Sequence, residues 1–159
     1  MKPVCLVLGA GAGIGGTVAT KFAQEGYHSS LCRRSDKEGL DRLVNNIKDQ
    51  GGSANGYLMN AIEDNAIEDV IASIELDIGP IEVLVYNLGA QTGMKLLEQT
   101  SHKEFEWGWR MASFGLFRAA KVLCPLMVER GKGTFLVTSA TAAMRGNRNQ
   151  HSHAAAMGA

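Results

Sequence analysis

Val4-Cys5-Leu6-Val7-Leu8-Gly9-Ala10-Gly11-Ala12-Gly13-Ile14-Gly15-Gly16 decides how this chain is read. An apolar run of strand length stops in a cluster of glycines, and a helical pattern follows in which Ile14, Val18 and Phe22 recur every four residues. A strand, a turn without side chains and a helix N-terminus together make a seat for a pyrophosphate. Glycines let the backbone approach the anion, and the free N–H groups and the helix dipole attract it. Two glycine spacings fit the same loop. Gly11-x-Gly13-x-x-Gly16 matches the general dinucleotide fingerprint, whereas Gly9-x-x-x-Gly13-x-Gly15 starts directly after the last strand residue and is the better register.

Outward from this loop, apolar strand-like runs alternate with helical periodicity. Strands are expected at 4–8, 28–32, 54–59, 81–86 and 134–138. Leu40, Leu43, Val44 and Ile47 follow the i, i+3, i+4, i+7 rule, as do Ile67, Val70, Ile71 and Ile74, and a longer apolar helical segment spans 105–128. Gly26, Gly51-Gly52, Gly79-Pro80, Gly131 and Gly133 punctuate the pattern. Asp36 and Asp64 stand where helix N-caps are expected, and Pro125 predicts a kink or an early end of the long helix. Strict alternation implies an α/β fold: a doubly wound parallel sheet (Rossmann fold) of about five strands with helices on both faces, in one domain covering 1–159. Ligands on such a sheet bind beyond the carboxyl ends of the strands, where the strand order reverses.

Composition narrows the partners. The 159 residues are 45% hydrophobic, which suits one globular core, and 16 basic side chains balance 16 acidic ones. Zero net charge gives no reason to expect nucleic acid or an anionic membrane. No segment is expected to reach the apolar length of a membrane span. Met1-Lys2-Pro3 leads straight into a strand, without a signal-peptide pattern, so a cytoplasmic location is expected. Cys5, Cys32 and Cys124 lack CxxC spacing and read as small buried hydrophobes in a reducing compartment, and no metal site is expected. Trp107 and Trp109 read as packing at the N-terminal end of the long helix rather than as ligand contacts.

The end of the second strand speaks to the type of dinucleotide. An acidic residue there would hydrogen-bond a ribose 2′-hydroxyl. Arg33 and Arg34 hold the place instead, and guanidinium groups suit a 2′-phosphate, so NADP is favoured over NAD.

Gly9-x-x-x-Gly13-x-Gly15, Asn87-Leu88-Gly89-Ala90 after the fourth strand and Thr138-Ser139 after the fifth resemble the short-chain dehydrogenase/reductase family, in the family's order and over the whole chain. Leu88 replaces the usual alanine. The resemblance implies hydride transfer between a nicotinamide and a small carbonyl or alcohol. It puts Gly9, Gly13, Ile14 and Gly15 at the cofactor phosphates, Asn60 at adenine, and Asn87 and Gly89 beside the ribose. It assigns Ser139 to the substrate oxygen.

The rest of the family's catalytic set carries over poorly. The asparagine slot, three residues before Gly115, holds Ala112. Counting thirteen residues from Ser139 puts the tyrosine slot on Ser152, and the lysine slot four residues later falls on Ala156. No tyrosine or lysine follows Ser139. His151 and His153 flank the slot, and an imidazole can donate a proton near neutral pH. The family continues past the last residue of this sequence with further strands, so the resemblance implies a domain incomplete at its C-terminus and a fifth strand left as an exposed edge. It also implies a homo-oligomer through 105–128, although Phe114, Leu116, Phe117 and Leu123 there read first as core. Three readings follow: an NADP-dependent oxidoreductase with an unusual proton donor, a non-catalytic dinucleotide-binding module, and a fragment that neither folds nor binds well alone.

Overall fold

The computed structural model describes residues 2–89, 94–146 and 148–159; Met1 and Ala90 lie outside the described residues. Five parallel strands form one sheet: β1 (Val4–Leu8), β2 (His28–Arg33), β3 (Ser53–Leu58), β4 (Ile81–Tyr86) and β5 (Thr134–Val137), in the order β3-β2-β1-β4-β5. β1 is the centre of the sheet and is buried along its whole length. The strand order reverses between β1 and β4, where Leu8 pairs with Tyr86, so the chain leaves the sheet there through Gly9 and Asn87.

Helices cover both faces. α1 (Ile14–Gln24) and α2 (Lys37–Asp49) pack Ala19, Leu40, Val44 and Ile47 against Cys5 and Val7. On the other face, α3 (Ala66–Asp77) brings Ile67, Ile71 and Ile74 onto Val4, Leu6 and Leu8, together with Leu123 and Met127. Each such aliphatic side chain contributes about 1.5–3 kcal/mol on burial. The α1 face differs from the expected one. Its buried stripe is Gly15, Gly16, Ala19 and Ala23, while Ile14 is 60% exposed. Small residues win that face because α1 lies close against the glycine loop.

The long helical segment runs from His102 to Arg130 in three parts: α4 (His102–Trp109), a π-helical turn (Arg110–Phe114) and α5 (Gly115–Arg130). Pro125 does not end it. By length and apolar content this 29-residue run is sufficient to cross a membrane, contrary to the sequence expectation. In the fold it lies on the sheet and carries the charged Arg118 on its inner side. Arg118 is 8% exposed and donates to the Ala61 and Glu63 carbonyls, at 2.9 and 3.0 Å, and to the Glu68 carboxylate. Hydrogen bonding from Arg118 holds the Glu68 carboxyl below the usual carboxylate range. One guanidinium therefore ties α5 to α3 and to the loop after β3.

Other local expectations sort by geometry. Asp36 caps α2, accepting from the Gly39 amide at 2.9 Å. Asn65, not Asp64, is the cap residue of α3. Cys5 and Cys32 are buried, and burial pushes the Cys5 thiol up to about 12, but Cys124 is exposed on the outer side of α5. β5 is an edge with Leu136 and Val137 exposed. α6 (Thr141–Arg145) and α7 (His151–Gly158) follow it.

Arg118→Ala removes three backbone or carboxylate partners at once and leaves Glu68 without its cation. Urea denaturation is expected to show a loss of about 3 kcal/mol, near the low end for a buried pair because Glu68 is partly solvated.

Candidate active site

The site grows from the point where β1 and β4 end. Gly9 has a φ of +94°, a conformation glycine adopts without cost, and a Cβ there would lie 2.5 Å from the Asn87 carbonyl oxygen. A Cβ on Gly15 would lie 2.2 Å from the Gly9 carbonyl oxygen and 2.9 Å from Asn87 Nδ2. Asn87 Nδ2 donates to the Gly9 carbonyl at 2.9 Å, and the Asn87 amide donates to Leu8 at 2.9 Å. The strand ends and the helix start are thus pressed together with no room for side chains. Gly16 is equally tight, 2.4 Å from the Gly11 carbonyl oxygen, so both glycine spacings contain a sterically required member. Gly13 is different: nothing lies within 4 Å of where its Cβ would be. Gly13 caps α1, and among the described residues the amides of Gly13, Ile14 and Gly15 enter no backbone hydrogen bond. Unpaired donors at a helix N-terminus facing open space are an anion seat.

A cavity of about 240 Å³ opens beside this seat. Gly9, Arg33, Arg34, Asn60, Asn87 and Trp107 are among the residues lining it. Asn60 donates from Nδ2 to Glu63 at 3.1 Å, on the loop that Arg118 clamps. Trp107 departs from the sequence reading: its indole packs partly on the core but also forms a wall of this cavity, with the Arg34 guanidinium 5.9 Å from its ring centre. Trp109 stays outside, stacked on Phe114 at 5.2 Å. The two arginines are not equivalent. Arg33 is paired with Asp36 at 3.1 Å and is mostly buried, whereas Arg34 is exposed.

A second cavity, about 220 Å³, adjoins Asn87 on the other side. Ser139, Thr138, His153 and Met157 line it. This placement revises the residue count made from sequence. Ser152 is 2% exposed and donates from Oγ to the Glu104 carbonyl at 2.9 Å, facing α4 rather than the cavity. A Cβ on Gly108 would lie 2.7 Å from Ser152 Oγ and 3.7 Å from the Ala156 Cβ, so Ser152 and Ala156 are the small residues that let α7 pack against α4. The α7 residues that line this cavity with Ser139 are His153 and Met157, one helical turn apart, while Ala156 borders an adjoining recess with Ser139. His151, two positions before His153, is turned away, with Nε2 buried and unpartnered among the described residues. Ala112 and Ser113 sit behind this cavity, and Ser113 Oγ donates to the Ala156 carbonyl at 2.6 Å.

The sequence reading missed two further supports. The Tyr86 hydroxyl, buried and so pushed up in pKa, donates to the Met111 carbonyl in the π-helical turn and meets the backbone at Gly115, where a Cβ would be 2.1 Å away. An aromatic residue directly before Asn87 was the available signal. At the rim, Lys95 pairs with Glu104, the Lys95 amide donates to Asn149 at 2.8 Å, and Glu104 completes a capping box with Ser101. The Lys95 ammonium, then the Ser101 amide and hydroxyl, hold the Glu104 carboxyl down to about 2. Among the described residues, no group of three or more His, Cys, Asp or Glu side chains is assembled for a metal.

The short chain dehydrogenase family model matches residues 3–159. The chain belongs to that family. Its members are NAD(P)-dependent oxidoreductases. The chain is 30% identical over 152 residues to a 3-oxoacyl-[acyl-carrier-protein] reductase of Thermotoga maritima, covering 96% of this chain and 61% of the relative. It is 28% identical over 140 residues to a 2,3-dihydro-2,3-dihydroxybenzoate dehydrogenase of Bacillus subtilis, covering 88% and 53% respectively. The crystal structure of an NAD+-bound xylitol dehydrogenase superposes with a TM-score of 0.90 at 25% identity, over 98% of this chain and 60% of that one. The chain therefore spans between about half and three fifths of the length of these relatives.

Two measurements test the site's construction. Gly15→Ala is expected to cost about 2–3 kcal/mol in chemical denaturation, because backbone must move, while Gly13→Ala stays within about 1 kcal/mol. For Glu104, a folded pKa below the usual 4.5 means its stabilisation is present above that value and lost as pH falls toward about 2. Denaturation midpoints taken across that window are expected to fall less steeply in Glu104→Gln than in the parent.

Proposed function

We propose that this chain forms the NADP-binding part of a short-chain oxidoreductase in which His153, rather than a tyrosine, handles the proton at the substrate oxygen. The observation that carries the reading is the anion seat: among the described residues the amides of Gly13, Ile14 and Gly15 enter no backbone hydrogen bond, Gly13 borders open space, Gly9 and Gly15 tolerate no side chain, and two guanidinium groups stand at the end of β2. The residues fit the cofactor. The α1 N-terminus would hold the pyrophosphate, Asn87 and Gly89 would border the ribose, Asn60 the adenine, and the β2 arginines a 2′-phosphate.

A bound nicotinamide supplies hydride transfer to or from carbon. Ser139 orients the substrate oxygen by a hydroxyl hydrogen bond, and His153, lining the same cavity, gives or takes the proton there. A phenol is a weak acid that needs a neighbouring cation to work near neutral pH. An imidazole does not. Met157 one turn along α7 is consistent with that exchange, since its thioether lies 3.4 Å from the position of a Cβ on Gly89 and supplies no charge. The substrate class is a small carbonyl or alcohol.

Self-association through 105–128 belongs to the same proposal. Leu123 is core, but Phe117 is 60% exposed and stacks on Phe114, which stacks on Trp109, leaving an aromatic face outward. A second reading, a non-catalytic NADP-binding module, is favoured by Ser113, whose hydroxyl is committed to Ala156, and by the uncharged Met157.

Isothermal calorimetry with NADPH and NADH on folded protein is expected to show tighter NADPH binding. No heat with either cofactor overturns the proposal. NADPH consumption with a panel of small aldehydes and ketones, abolished by His153→Ala and retained by His151→Ala, supports the enzyme. Binding without consumption supports the module.

A further inference from the structure

Arg34 and Trp107 come from distant parts of the chain, the end of β2 and the middle of α4, yet they meet across one cavity. The Arg34 guanidinium lies 5.9 Å from the centre of the indole, and both side chains line the cavity that Gly9, Asn60 and Asn87 also line. Resting on the cofactor reading above, we propose that Trp107 is the wall against which the adenosine moiety lies and that the Arg34–Trp107 pair, rather than Arg33, selects the 2′-phosphorylated form.

Three observations carry this. Arg33 already has a carboxylate: its guanidinium is 3.1 Å from Asp36, which is itself fixed as the cap of α2 by the Gly39 amide at 2.9 Å. Recruiting Arg33 to a phosphate would bring a dianion against that carboxylate. Arg34 makes no ion pair among the described residues and lies instead over the face of the Trp107 indole. A cation resting on a half-buried aromatic face and itself exposed to water is weakly held, so it moves to a phosphate at little cost, while the ring limits where it waits. The indole, in turn, presents a flat apolar surface within a cavity that Asn60 and Asn87 also line, and purines stack on such surfaces without regard to sequence or phosphorylation. The pair divides the work: the ring holds the base and the guanidinium reads the phosphate.

Trp107 and Trp109 are the two tryptophans of the chain, so a Trp109→Phe protein reports Trp107 alone. Its emission is followed during titration with adenosine 2′,5′-bisphosphate and with adenosine 5′-monophosphate, and the same titrations are run by calorimetry. Both ligands are expected to quench Trp107. Trp107→Leu is expected to weaken both about tenfold, the size of one lost base stack. Arg34→Ala is expected to weaken the bisphosphate about tenfold and leave the monophosphate unchanged, and Arg33→Ala to have the smaller effect. Calorimetric binding with unaltered Trp107 emission overturns the inference and leaves the cofactor reading intact, as does a larger loss in Arg33→Ala than in Arg34→Ala. No heat with either nucleotide, nor with NADPH, overturns both. The emission arm uses an intact residue 107, so the outcome does not depend on whether Trp107→Leu folds.

Discussion

The close approach of three backbone segments at Gly9, Gly15 and Asn87 is the constraint on which the rest of the site depends. The Gly9 carbonyl is hydrogen-bonded by Asn87 Nδ2, and a side chain on either glycine would collide with backbone or with Asn87. This contact forces β1 to hand over to α1 in a tight turn. It also turns the helix N-terminus outward, and it sets the reversal of strand order as a crevice rather than a packed edge. Both cavities flank Asn87, one toward β2 and β3 and the other toward β5 and α7. A dinucleotide needs that geometry: a central anion seat with one recess on each side.

The two recesses are built with different stiffness. On the β2–β3 side, the loop after β3 is held by Arg118, so Asn60 sits on a braced backbone. The Tyr86 hydroxyl takes the Met111 carbonyl that the π-helical turn exposes, which anchors the junction of α4 and α5 beneath the site. On the β5–α7 side, β5 is an open edge, and α7 is held chiefly by α4, through Ser152 and Ala156 against Gly108 and through the Lys95–Glu104 rim. The recess proposed for chemistry is therefore the less enclosed of the two.

In the proposed reading, His153 and Met157 form a coherent chemical set once the helix face is known. A lysine serves a tyrosine by lowering the cost of its phenolate; without the tyrosine, a buried ammonium beside an imidazole would oppose protonation rather than assist it. An apolar Met157 beside His153 is consistent with that logic. The same set also suits a module that binds and does not turn over, and the distinction lies in what His153 does to a substrate.

Much of this was legible in the residues themselves. All five strands, the two-faced helical cover and the glycine loop follow from apolar runs, period and glycine spacing, because these are local properties of adjacent residues. Arg33 and Arg34 at the end of β2 were legible for the same reason. Tertiary structure alone decided the rest. Sequence counting assumed a fixed separation between Ser139 and α7, but loop length is not conserved by any local rule. It took the packing of Ser152 and Ala156 onto Gly108 to show that His153 and Met157 line a cavity with Ser139. Likewise, nothing in the neighbourhood of Trp107 announces Arg34, and nothing near Arg33 announces its neutralisation by Asp36 in a left-handed turn. Period and composition specify which side of an element is buried; which distant residue it meets there depends on how the elements stack.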